Sequence, residues 1–226
     1  VRGILRFLKF DRGLEVHHDG DLPGRSGMGS SSAFTVGLLH GLYALRGQVV
    51  SKQQLARESI HIEQEILQET VGSQDQVCAA YGGLNQIHFH QNGDVTVQPI
   101  TLAPERLRRF NAHLMLFYTG IKRTASDVAA SYVSGLEAKA GQFKLMKELL
   151  DESLKILSVG KSLAGFGELL HRAWEAKRSL SGKVSNAQVD AYYESARAAG
   201  ALGGKLLGAG GGGFLLLFVT PTRQAE

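Results

Sequence analysis

Residues 23–32 read Pro-Gly-Arg-Ser-Gly-Met-Gly-Ser-Ser-Ser and run directly into the apolar stretch Ala33–Leu45. Three glycines and three hydroxyls ahead of a helix constrain the fold more than any other feature of the chain. Glycine lets backbone approach a ligand closely, and a helix start offers unpaired N–H groups with a partial positive charge. Hydroxyls can donate to oxygens or ligate Mg²⁺. Together these describe a phosphate cradle. The loop lacks the lysine of a Walker A motif, the third glycine of a dinucleotide fingerprint and the spacing of a hydrolase elbow. A second cluster, Gly208-Ala-Gly-Gly-Gly-Gly213, has dinucleotide-like spacing, but it enters a strand and not a helix. It is expected to bring backbone close to a ligand or to the first glycine loop.

Composition supports a folded chain. Of 226 residues, 43% are hydrophobic and 20% charged, and glycine contributes 28 against four prolines. That much apolar matter supplies a core for one large domain or two small ones. The net charge of +4 is spread without a basic stripe, so nucleic acid is not expected as a partner. A single cysteine, Cys78, excludes an intramolecular disulfide, and neither a signal-like segment nor a spanning apolar run is present. The expectation is a cytoplasmic protein, monomer or homodimer, without membrane attachment.

Residues 4–10 and 14–18 read as short strands. The 33–45 helix carries Phe34, Leu38, Leu42 and Leu45 on one face, with Val36, Leu39 and Tyr43 covering the rest, which predicts burial nearly all round. Ser51 precedes a second helix over 52–69. Its apolar stripe includes Leu55, Ala56, Ile60, Ile62, Ile66 and Leu67, and Glu63 falls inside it. Next come a short helix ended by Gly82-Gly83, a hairpin of 84–89 and 95–100 around Asn92-Gly93, and an apolar strand at 113–118. Residues 124–200 predict three or four helices broken at Gly141, Gly160 and 182–185. A strand at 214–219 buried on both faces closes the chain.

A carboxylate on a buried stripe costs several kcal/mol unless paired or metal-bound, so Glu63 requires a cation or a hydrogen-bonding partner. Mg²⁺ held by a serine hydroxyl and this carboxylate would satisfy it. Asp75, in the first turn of the next helix, is either a helix cap or a base that accepts a hydroxyl proton. Spacing does not separate the two. His17, His18, His88 and His90 lack acidic or thiol partners at metal-site spacing. Lys122, Arg123, Lys177, Arg178 and Lys183 lie nearest element ends and are available to an anionic substrate.

Three segments in order resemble the motifs of the GHMP kinase superfamily. They are Pro23–Ala33, Gly72-Ser-Gln-Asp75-Gln, and Lys205-Leu-Leu-Gly-Ala-Gly-Gly-Gly-Gly-Phe214. Within the superfamily, Ser32–His40, His61-Ile-Glu63, Ala80–Leu84, Tyr118–Ser126 and Lys177–Asn186 are similar to the kinases of D-glycero-D-manno-heptose 7-phosphate. The resemblance implies an α+β fold in two parts. One part, 1–110, would bind ATP on a mixed sheet with helices; the other, 111–226, would pair helices with an antiparallel sheet. It implies an enzyme that uses ATP and Mg²⁺ to phosphorylate a small-molecule sugar phosphate at the anomeric hydroxyl. Pro23, Gly24, Arg25, Ser26, Gly27, Met28, Gly29, Ser30, Ser31 and Ser32 would wrap the ATP phosphates. Ser31 and Glu63 would hold Mg²⁺, Asp75 would be the base, and Arg123, Lys183, Gly210 and Gly211 would face the substrate. Met28 replaces the usual leucine, a swap that packing tolerates. The superfamily's basic N-terminal motif is not found, so the chain is expected to begin about one sheet-forming segment late. Other sugar kinases, of fucose or galactose type, and a non-catalytic nucleotide-binding regulator are the alternatives.

Overall fold

A computed structural model describes residues 1–24, 26–122, 125–133, 135–159 and 162–225. The chain divides into two units, one of residues 1–24 and 29–101, the other of residues 25–28 and 102–226. No helix among the described residues is long and apolar enough to cross a membrane.

The first unit contains α1 (Arg2–Phe7), α2 (Ser30–Leu45), α3 (Lys52–His61), a π-helical turn (Ile62–Ile66), α4 (Gln74–Tyr81) and the strands β1 (Asn85–Phe89) and β2 (Val95–Pro99). Residues 4–10 therefore do not begin with a strand. Ile4 and Leu8 stand four apart, one helical turn, and both are buried with Val36, Leu39, Leu42, Leu55 and Ile62. Full burial of a leucine or isoleucine contributes about 1.5–3 kcal/mol, so this cluster holds the unit's helices together. Residues 14–18 form no regular element. The first unit thus carries no mixed sheet among its described residues: β1 and β2 pair antiparallel, Asn85 opposite Pro99 and Phe89 opposite Val95, around the expected turn.

Two helices also differ from expectation. α2 buries one face only, through Ser32, Thr35, Val36, Leu39 and Leu42, because the small residues Ala33, Gly37, Gly41 and Ala44 face outward. Ser51 caps α3, accepting from the Gln54 amide at 3.1 Å. The helix expected to reach residue 69 instead widens after His61, where Leu67 N donates to Ile62 O five residues back. The extra residue rotates the end of the helix: Ile62 and Glu63 are buried, while Ile66 and Leu67 emerge half-exposed.

The second unit contains α5 (Pro104–Ala112), β3 (Leu114–Tyr118), α6 (Ala125–Val133), α7 (Ala140–Val159), α8 (Ala164–Arg178), α9 (Ala187–Ala198), β4 (Gly203–Leu206) and β5 (Phe214–Phe218). The expected boundary at 110/111 moves ahead of α5, because Phe110 packs with Leu157, Leu163 and Phe218 of this unit. Gly141 does not break a helix; it lies in the first turn of α7, and among the described residues the interruption falls at 135–139, where Gly135 has φ +77°. The expected break at Gly160 lies outside the described residues. The sheet is antiparallel in the order β3-β5-β4, with Leu116 opposite Leu216 and Lys205 opposite the same residue. Central β5 is buried on both faces, as its sequence predicts. Trp174, Tyr193, Val184, Leu206 and Leu215 form the main core.

Candidate active site

In the first unit the site begins at Gly29. Its φ of +69° is a left-handed conformation, and it caps α2, whose first bond runs from Ala33 N to Gly29 O at 2.9 Å. The N–H groups of Ser30, Ser31 and Ser32 precede any intrahelical acceptor, so α2 presents three donors and the positive end of its dipole. A Cβ on Gly29 would lie 3.2 Å from Asp75 Cγ and 3.4 Å from Oδ2. Glycine thus lets the Asp75 carboxylate lie against the loop at the start of α2. Asp75 is exposed and sits in the first turn of α4.

The hydroxyls of the loop divide. Ser31 is exposed, whereas Ser32 is buried and donates from Oγ to Glu63 Oε2 at 2.9 Å. Gln76 Nε2 donates to the same oxygen at 2.5 Å. Glu63 Oε1 is buried and accepts no hydrogen bond among the described residues. The next residue, Gln64, donates to Val71 O at 3.0 Å and Ser73 Oγ at 3.1 Å, which fixes the segment leading into α4. Burial, with Glu63 nearby as a second cause, pushes the Glu69 carboxyl above its usual range. The Cys78 thiol is pushed up by burial and then by Asp75. Pro23 and Gly24 lie in the turn that precedes the loop.

In the second unit the two glycine motifs meet, as anticipated for the C-terminal cluster. Phe214 N donates to Ser26 O at 3.1 Å, and a Cβ on Gly213, whose φ is +101°, would fall 2.0 Å from that carbonyl. Thr119 Oγ1 donates to Gly213 O at 2.8 Å, and Gly213 N donates to Ile121 O at 3.0 Å. Ser26 is fully buried with an unpartnered hydroxyl, and Gly27 and Met28 beside it are half-buried. Gly211 N donates to Val184 O at 2.8 Å, Asn186 Nδ2 donates to Gly211 O at 3.1 Å, and a Cβ on Gly210 would strike Val184 O. Lys183, exposed and adjacent to Val184, joins Gly210 and Gly211 there. Lys177 is buried and donates to the carbonyls of Leu206 and Gly208, and Arg178 pairs with Glu175 and Asp190. Arg25 and Arg123 lie outside the described residues.

Sequence reasoning assigned no role to Gln76, Thr119, Asn186 or the two carbonyl contacts of Lys177. Thr119, between an apolar strand and Gly120, carried the one signal of the four. A cavity of about 560 Å³ lies among β3, β5 and α9, walled by Met115, Phe117, Leu215, Leu217, Tyr192 and Ala196. None of the residues expected from the sequence to bind nucleotide, metal or substrate lines it; its walls are mainly apolar, with Thr119, Ser195, Arg223 and Gln224 among them. Among the described residues no cluster of three His, Cys, Asp or Glu could hold a metal. Any cation here would rely on hydroxyl and single-carboxylate oxygens, the hard donor set Mg²⁺ prefers.

A helix start bearing glycine and serine, a buried carboxylate beneath it and an aspartate against it form the candidate site of this α+β chain. The chain belongs to the GHMP kinases: residues 1–83 match the GHMP kinase N-terminal domain and residues 145–226 the GHMP kinase C-terminal domain. It is similar to a D-glycero-α-D-manno-heptose 7-phosphate kinase of Campylobacter jejuni, 30% identical over 99% of this chain and 66% of the relative. An L-fucokinase/L-fucose-1-P guanylyltransferase of Bacteroides fragilis is 29% identical over 96% of this chain and 23% of the relative. A crystal structure of a D-glycero-D-manno-heptose 1-phosphate kinase from Bacteroides thetaiotaomicron superposes with a TM-score of 0.73 at 25% identity, covering 99% of this chain and 64% of that one. The chain thus spans no more than about two thirds of these relatives.

Proposed function

We propose that the chain is the working part of an ATP-dependent sugar kinase that phosphorylates D-glycero-D-manno-heptose 7-phosphate at its anomeric hydroxyl. The observation that carries this reading is the placement of Asp75 and Glu63 about the start of α2, one exposed against Gly29, the other buried beneath Ser32 with a bare oxygen. The first-turn N–H groups of α2 hold the ATP phosphates. Glu63 Oε1 and the Ser31 hydroxyl are the oxygens that would take Mg²⁺, which neutralises charge on the transferring phosphoryl group when bound. Asp75 accepts the proton of the anomeric hydroxyl as its oxygen bonds to the γ-phosphorus. The bond from that phosphorus to the β-bridging oxygen breaks, and ADP leaves. In the second unit, Lys183 and the backbone at Gly210 and Gly211, with Arg123, bind the sugar phosphate.

The C. jejuni likeness in name and coverage supports the heptose phosphate as substrate; the B. fragilis likeness favours a second reading, a neutral-sugar kinase. A coupled assay of the intact protein with ATP and Mg²⁺ decides. Heptose 7-phosphate is expected to exceed fucose and galactose in kcat/KM by roughly 10²-fold or more, since a pocket built for a charged group rejects sugars that leave it unpaired. Turnover of a neutral hexose with none of heptose 7-phosphate would reject the first reading.

A further inference from the structure

Glu63 has two unequal oxygens. Oε2 accepts from both Ser32 and Gln76, and Oε1 accepts from nothing among the described residues. Both side chains are almost wholly buried, Glu63 at 1% and Gln76 at 0% exposure. Satisfying one oxygen twice while leaving its twin bare is a costly way to bury a carboxylate on its own. It is an economical way to aim one. Gln76 cannot serve in the reverse orientation, because its amide oxygen would then face Glu63 Oε2, acceptor against acceptor. Its own oxygen is likewise buried and without a hydrogen-bond partner among the described residues, so none of them but Glu63 dictates where the amide points.

We propose that Gln76 is a positioning residue for the divalent cation: with Ser32 it pins Oε2 of Glu63 and leaves Oε1 as the ligand. This rests on the reading of Glu63 as a metal ligand. The π-helical turn makes it possible, since the widened turn carries Glu63 inward while Gln64 ties the segment that precedes α4. Gln76 directly follows Asp75 on α4. One helical turn therefore carries the base and orients the metal ligand, so a movement of α4 disturbs both.

The test is Mn²⁺ binding, followed by electron paramagnetic resonance, to the intact protein with a non-hydrolysable ATP analogue. Gln76→Met keeps the side-chain length and removes the donor. It is expected to weaken Mn²⁺ binding about 10- to 100-fold, as loss of a ligand-orienting partner commonly does. Binding of metal-free nucleotide stays unchanged. In turnover, the Mg²⁺ concentration for half-maximal rate rises in step, and kcat recovers at saturating Mg²⁺. In a Glu63→Gln background the same substitution should add no more than about twofold, because it acts through the carboxylate already removed, whereas an independent effect would carry over almost in full. Should Gln76→Met not fold, Ser32→Ala removes the other donor and is judged by its loss of Mn²⁺ binding alone. If Glu63→Gln weakens Mn²⁺ binding but Gln76→Met and Ser32→Ala do not, the positioning role is wrong and the metal assignment stands. If Glu63→Gln leaves Mn²⁺ binding intact, the metal assignment fails first.

Discussion

The first unit works with side chains and the second with backbone. Ser32, Glu63, Asp75 and Gln76 project from α2, the π-helical turn and α4, whose interior amides and carbonyls are committed to their own helices. A helical unit can offer a ligand only its first-turn N–H groups and whatever side chains it aims. In the second unit the corresponding region is glycine backbone, with Gly210 against Val184 O and Gly213 against Ser26 O. Thr119, Asn186 and Lys177 add side-chain bonds to that backbone. The difference teaches where substitution acts. Exchanging a functional group in the first unit changes chemistry and spares packing; adding one carbon in the second changes shape.

The strongest way to break that contrast is Asp75→Asn. In the intact protein kcat should fall roughly 10²- to 10⁴-fold, the usual worth of general-base catalysis, with nucleotide affinity and Tm nearly unchanged. Single-turnover kinetics beside a melting curve would measure both, and a near-normal rate would remove Asp75 from the chemistry. Next in size is Gly213→Ala. The added carbon meets Ser26 O at 2.0 Å, and the residue must keep a φ of +101°. A cost of about 3 kcal/mol is expected, a fall in Tm of roughly 6–12 °C. Gly182→Ala is the control: a Cβ there meets nothing within 4 Å, so Tm should stay within about 1–2 °C. Equal losses in the two variants would mean that the second site is not built on close backbone approach.

The smallest effect tests whether charge matters to the backbone-built unit. Lys205 is half-buried on β4, and burial pulls its ammonium below the ordinary 10.5. A depressed folded value favours folding above 10.5, and that advantage is lost as pH falls through the lowered value. At pH 7 the buried ammonium is therefore a cost. Lys205→Met should raise Tm by a few degrees at pH 7, and the gain should shrink as pH approaches 10.5. A gain that is flat with pH would trace to packing and not to charge.

Much of the first unit's site was legible. A helix after a glycine-serine loop, and an acid inside an apolar stripe, are local patterns that survive any tertiary arrangement. Gln76 was not legible, since its partner lies on another element and the π-helical turn that aims Glu63 has no signature in Ile62–Ile66. The strand expected at residues 4–10 failed because Ile4, Leu5, Phe7 and Leu8 suit either period, and the cluster around Leu39 chose the helical one. β4 was overlooked because Gly203 and Gly204 bring no side chains to a strand pattern. They are glycine for a steric reason: a Cβ on Gly203 would fall 1.8 Å from Gly167 O of α8, and one on Gly204 2.4 Å from Leu216 O. Close packing of backbone on backbone leaves no apolar pattern to read.

The bond from Phe214 to Ser26 joins residues separated by nearly the whole chain, and it draws residues 25–28 into a unit whose other members begin at 102. During synthesis the helices of the first unit emerge early and close over short loops. Ser26 must wait for β5, which comes far later in the sequence. The cost of closing so long a loop grows only logarithmically, but the encounter is slow, and until it happens the strip ahead of α2 has no partner in the second unit. For a nascent chain, the step that seats Ser26 against β5 therefore comes after the first unit's helices have closed.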